Sequence, residues 1–148
     1  MASQARCKLE PSPAYVLEDQ IGFILRRVNQ RHTGIFADHI GATLTTTQFA
    51  TLAKLFHMGS CTQNLLGRHT AMDAATIKGV VDRLTKRGLT RTWPDPRDRR
   101  RMLVSLTDAG EAVVTDTLPR AREISERTLR PLSAQDRKTF LRLLEKLC

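Results

Sequence analysis

Between positions 83 and 101 the chain concentrates eight cationic side chains, Arg83, Lys86, Arg87, Arg91, Arg97, Arg99, Arg100 and Arg101, against two aspartates, Asp95 and Asp98. The local net charge is +6 in 19 residues, the largest part of a whole-chain net charge of +9. Guanidinium groups are planar donors suited to phosphate and to the edges of nucleic-acid bases. A field of this sign draws polyanions, either nucleic acid or an anionic membrane surface. A membrane-binding segment sets its charges on a helix with an apolar opposite face. Here Arg97, Asp98, Arg99, Arg100 and Arg101 fall in a Pro-containing turn between two β-rich runs, which suits insertion into a groove. Just before the cluster, Ala74, Ala75, Thr76, Lys78 and Gly79 open a helical run. Its small residues allow close backbone approach to a ligand. Thr76 and Lys78 are the candidates for base contacts and Arg83 for a phosphate. Asp98 is expected to pair with Arg99 or another arginine of the turn, leaving Arg100 freest to enter a minor groove.

Other chemistry is poorly supplied. The four histidines, His32, His39, His57 and His69, do not join cysteines or carboxylates at metal-ligand spacing, and Gly59 interrupts the one close pair, His57 and Cys61. No glycine-rich phosphate loop and no nucleophile-base arrangement stands out. The sequence therefore predicts no enzyme, no metal and no cofactor. Three cysteines, Cys7, Cys61 and Cys148, are too few and too scattered for a disulfide framework, which points to a reducing, cytoplasmic setting. No run of 18 apolar residues suggests a membrane span, and the first residues lack a secretory h-region. A hydrophobic fraction of 41% and a charged fraction of 26% over 148 residues fit one folded domain and argue against disorder.

The elements that must position the cationic cluster follow from periodicity. Leu17, Ile21, Ile24, Val28 and Ile35 predict a long amphipathic helix over 14–40, after a loose arm over 1–13. Thr45 with Gln48 forms a capping box opening a second helix, which Gly59 ends. A short third helix over 62–69 is followed by a break and by Asp73, a strong N-cap, ahead of a fourth helix over 74–87. Ile77, Val80, Val81 and Leu84 give that helix one buried face, and Gly88 stops it. Two short helices with a tight break between them predict a helix-turn-helix. Residues 89–93 and 102–106 then predict a β-hairpin, a wing with a basic tip over 94–101. Thr107 caps a helix that Pro119 should bend, and Ser133 opens a last one with the stripe Phe140, Leu143, Leu144 and Leu147. The predicted fold is mainly α with a small β-hairpin: a winged helix-turn-helix lobe over 44–106, and long terminal helices over 14–40 and 108–148.

The order of these pieces resembles the MarR family, the multiple-antibiotic-resistance regulators. The resemblance is carried by Leu44-Thr45-x-x-Gln48-Phe49, Thr62-Gln63-x-x-Leu66, Thr76-Ile77 through Val81-Asp82-Arg83-Leu84, and Arg87-Gly88-Leu89. It is most specific at Asp95-Pro96-Arg97-Asp98-Arg99-Arg100, followed by Leu106-Thr107-x-x-Gly110. It implies a homodimer built by interleaving the terminal helices, which presents two recognition helices to a pseudo-palindromic operator. It further implies repression by blocking promoter access, and release by a small aromatic acid or phenol bound between the two lobes. Gly79 departs from the family, which often carries a larger polar residue there; Gly67 stands where alanine is more usual.

For that effector the residues offer Phe36, His39 and Phe49, near the junction of the first two helices, and Arg26 or His32 to meet a carboxylate. Core packing or a solvated face is the competing explanation for each. Two further readings stay open: a redox-sensing regulator acting through Cys7, as some family members do, and an architectural protein that coats DNA without reading it.

Overall fold

A computed structural model describes residues 15–148. The 1–13 arm, Ala14 and Cys7 lie outside the described residues. The chain runs through a 3-10 turn (Leu17–Asp19), α1 (Ile21–Ile40), a 3-10 turn (Gly41–Thr43), α2 (Thr46–Met58), β1 (Cys61–Thr62), α3 (Gln63–His69) and α4 (Ala74–Lys86). It continues through β2 (Thr90–Asp95), β3 (Asp98–Leu106), α5 (Asp108–Leu129) and α6 (Ala134–Glu145).

Most boundaries are set by side chains that satisfy orphan amides at helix starts. Thr45 accepts from the Gln48 amide while the Gln48 side chain accepts from the Thr45 amide, completing the capping box. Thr62, Asp73, Thr107 and Ser133 accept from the third amide of α3, α4, α5 and α6 respectively. At the far end of α4, Gly88 takes φ +73°. Its amide donates to the Thr85 carbonyl, and the Leu89 amide to the Leu84 carbonyl, the paired bonds of a Schellman stop that glycine makes accessible. The break between α3 and α4 is tighter: Ala71 sits at φ +53° without being a glycine.

Three expectations are corrected. The first helix does not start near residue 14. Gln20 is extended, with ψ 132°, and its side-chain amide donates to the Val16 carbonyl, so a short 3-10 turn precedes α1. The small sheet has three strands in the order β1-β3-β2, because Cys61 and Thr62 pair with Val104 and Leu103. The turn of the hairpin is also much shorter than 94–101. β2 pairs antiparallel with β3 from Thr90 opposite Leu106 to Asp95 opposite Asp98, which puts Arg99, Arg100 and Arg101 on a strand. Pro94 is tolerated because β2 is an edge strand and the register slips between Pro94 and Asp95. α5 runs unbroken through Pro119.

The core lies under the helix-turn-helix. Leu52 and Leu55 of α2, Leu66 of α3, Ile77, Val80, Val81 and Leu84 of α4, Val104 of β3 and Val114 of α5 are almost fully buried. Each such aliphatic side chain contributes roughly 2 kcal/mol by leaving water. The terminal helices are different. α6 buries no residue, and Ile21, Ile24, Leu25 and Val28 of α1 stay exposed, as do Leu141, Leu143 and Leu147.

Candidate nucleic-acid interface

The buried stripe of α4 dictates what its other face shows. With Ile77, Val80, Val81 and Leu84 inward, Ala74, Ala75, Thr76, Lys78, Asp82 and Arg83 are left exposed and Gly79 half-exposed. Asp73 anchors the start: its Oδ1 accepts from the Thr76 amide at 2.7 Å. Hydrogen bonds from Thr76, and from the Ala75 amide, hold the Asp73 carboxyl below the usual aspartate range. Lys78 is engaged with its own helix, its Nζ standing 2.6 Å from Asp82 Oδ2 one turn on. Arg83 lies back along the helix, with its guanidinium against the bare backbone of Gly79.

The wing is shaped by its two aspartates. Asp95 Oδ1 accepts from the Arg97 amide at 2.9 Å and Asp98 Oδ1 from the Arg100 amide at 3.1 Å, fastening both sides of the two-residue turn at Pro96 and Arg97. Asp98 is therefore not the ion-pair partner of an arginine expected from the sequence. A carboxylate two residues before an amide closes a local Asx-turn more readily than it recruits a long, solvated guanidinium. Both aspartates of the turn thus engage backbone amides rather than guanidinium groups. Strand pleating then divides the cations, Arg99 and Arg101 on one side of β3 and Arg100 on the other, all exposed.

Arg101 reaches back toward the helices. It lines a cleft of about 540 Å³ together with Asn64 and Arg68 of α3, and Met72, Asp73 and Ala74 at the start of α4. Wing, α3 and recognition helix thus share one surface carrying two convergent arginines. Arg68 and Asn64 were not legible as site residues, since one polar residue on a short helix carries no signal until the wing folds beside it. Behind the wing, Arg91 Nε donates to Ser105 Oγ and the guanidinium stacks 5.7 Å from the Trp93 ring centre, bracing the hairpin.

The effector candidates are not gathered in a single cavity. Phe36 is a core residue, tilted against Phe49 with ring centres 6.0 Å apart. His39 Nδ1 donates to the Ile35 carbonyl, and its Nε2 faces Glu123 of α5 at 3.8 Å, too long for a hydrogen bond. Arg26 is exposed on α1. Only His32 lines the apolar groove of about 430 Å³ between α1, α5 and α6, beside Leu25, Val28, Leu129 and Phe140. The Thr128 hydroxyl donates to the Ile124 carbonyl, so at the 2.9 Å contact it is His32 Nδ1 that donates to Thr128. Arg31 donates to the carbonyls of Arg127 and Thr128, fixing α1 against the end of α5.

A helix-turn-helix backed by a three-stranded winged sheet and flanked by long terminal helices defines the winged-helix class of regulators. The chain belongs to the MarR family. Residues 44–102 match that family. The HTH-type transcriptional repressor NicR of Pseudomonas putida is 42% identical over 134 residues, covering 90% of this chain and 85% of NicR. A probable transcriptional regulator from Pseudomonas aeruginosa superposes with a TM-score of 0.83 at 56% identity, over 90% of this chain and 100% of that one. Bordetella bronchiseptica BpsR, solved to explain how 6-hydroxynicotinic acid regulates its DNA binding, gives a TM-score of 0.85 at 38% identity, over 91% and 97% of the two chains.

Proposed function

We propose that the protein is a transcriptional repressor that binds a pseudo-palindromic operator as a homodimer and leaves it when a small aromatic carboxylate binds. The observation that carries this reading is the shared surface of wing and recognition helix, where Arg68 and Arg101 converge at the start of α4. An α-helix fits the major groove, whose base edges carry a distinguishable code. With α4 there, the arginines of β3 fall over the flanking backbone and minor groove, where negative potential is greatest when the groove is narrow.

Dimerisation is supported by the terminal helices. Residues 44–106 form the DNA-reading lobe, while α1, α5 and α6 supply the partner surface. Exposed Ile21, Ile24, Leu25 and Val28 next to an α6 that buries nothing make an apolar face that a second copy would cover. The effector class follows from the relatives: BpsR responds to 6-hydroxynicotinic acid and NicR is a repressor. Of the effector candidates, His32 borders this same face, with Nδ1 committed to Thr128.

The test is a selection on random duplex DNA at near-physiological salt, followed by titration of the enriched site with 6-hydroxynicotinate. An inverted repeat with half-sites about one helical turn apart, released by the acid, is the expected result. Enrichment of no motif, with affinity that only tracks salt, would favour an architectural DNA-coating protein instead.

A further inference from the structure

We infer that Arg83 reads a base in the major groove, and that Gly79 is the device that delivers it. The inference rests on the DNA-binding reading above and reverses the sequence expectation, in which Lys78 reads and Arg83 merely positions.

Helical side chains lean toward the N-terminus and cover the preceding turn. Arg83 does so here, bringing its guanidinium about 6 Å up the axis from its own Cα to the level of Gly79. A Cβ at Gly79 would stand 3.5 Å from Nη1, 3.7 Å from Nη2 and 3.9 Å from Cζ of Arg83. The guanidinium therefore occupies the space into which any longer side chain at position 79 would extend. Glycine destabilises a helix interior relative to alanine, and here its bareness gives the arginine a seat in the middle of the exposed face.

Lys78 is the less suitable reader. Its Nζ is held by Asp82 at 2.6 Å, and turning it toward a base would leave the Asp82 carboxylate unpaired against a phosphate-lined groove. Among the described residues, no carboxylate lies within ion-pair distance of Arg83, so its five donors remain available. A guanidinium presented edge-on in the major groove matches the O6 and N7 acceptors of guanine, and the base recognised is accordingly guanine.

The test repeats the random-duplex selection with the full chain and with Arg83→Ala, Gly79→Gln, Gly79→Ala and Lys78→Ala. Circular dichroism confirms that each variant folds. The wild type is expected to prefer guanine about tenfold or more at one position of each half-site. Arg83→Ala and Gly79→Gln should both reduce that preference to within about twofold, the second while retaining the arginine. Gly79→Ala, whose methyl makes only ordinary contact, and Lys78→Ala should keep it. If Arg83→Ala instead lowers affinity equally for all sequences and reduces the salt slope by about one, Arg83 touches phosphate and the inference is overturned while the regulator reading stands. If the wild type enriches no motif, both fall together.

Discussion

The hydroxyl of Thr107 donates a 2.6 Å hydrogen bond to the carbonyl of Gly88, tying the start of α5 to the stop of the recognition helix. The same oxygen accepts from the Gly110 amide as the α5 cap, and the Thr107 amide donates to the Leu89 carbonyl. Gly110 lets the helix come this close, since a Cβ there would sit 2.0 Å from the Leu89 oxygen. The Leu-Thr-x-x-Gly signature is thus a joint between α5 and the DNA-reading lobe. Gly110→Ala must push that joint apart and should cost about 3 kcal/mol. Thr107→Val removes the cap and the Gly88 bond and should cost about 2 kcal/mol. Urea midpoints read both, and an unchanged midpoint for Gly110→Ala would contradict the close approach.

The recognition helix carries a pH dependence of its own. Hydrogen bonds from Thr76 lower the folded-state pKa of Asp73, so the carboxylate stabilises the fold above the ordinary aspartate range, near pH 4. That contribution is lost as pH falls through the lowered pKa. Asp73→Asn keeps a neutral acceptor. The stability gap between wild type and variant should therefore shrink as urea titrations move from pH 7 toward pH 2. A gap independent of pH would show that the charge is not coupled to folding.

Of the two cysteines in the described region, burial raises the Cys61 thiol pKa while Cys148 is exposed. A thiol-reactive dye at pH 7.5 should label Cys148 within minutes and Cys61 only at the rate of unfolding. Rapid labelling of Cys61 in the native Cys148→Ser protein would make it a redox-sensor candidate.

On the wing, Arg97 occupies the turn itself, whereas Arg100 stands on β3 with its amide fixed by Asp98. Arg100→Ala should weaken operator binding by about 2 kcal/mol, on the order of 30-fold, with a smaller loss from Arg97→Ala. Fluorescence anisotropy at constant salt makes the comparison. Equal losses would remove the distinction between turn and strand.

Leu144 lines the apolar groove between α1, α5 and α6. Leu144→Asp should place a charge in the interface between copies and give a monomer in sedimentation at micromolar concentration. A dimer that persists would move the interface off this groove.

What the sequence made legible was local. Thr45, Thr62, Asp73, Thr107 and Ser133 each announce a helix within three residues of themselves, so helix starts could be read without the fold. The non-local features could not. β1 is two residues long and exists only because Val104 and Leu103 pair with it. The arginines of 99–101 have little strand preference of their own and are held extended by β2 across the turn. The same applies to the candidate site. Its location was visible in the density of charge, but the roles of Lys78, Arg83 and Asp98 depend on which neighbour each side chain reaches.

Whether α4 reads sequence is decided by competition titration at about 150 mM salt. The enriched inverted repeat is compared with a scrambled duplex of equal length and composition. The repeat should be preferred about 1,000-fold or more. Equal affinity for both duplexes, falling in parallel as salt rises, would contradict it.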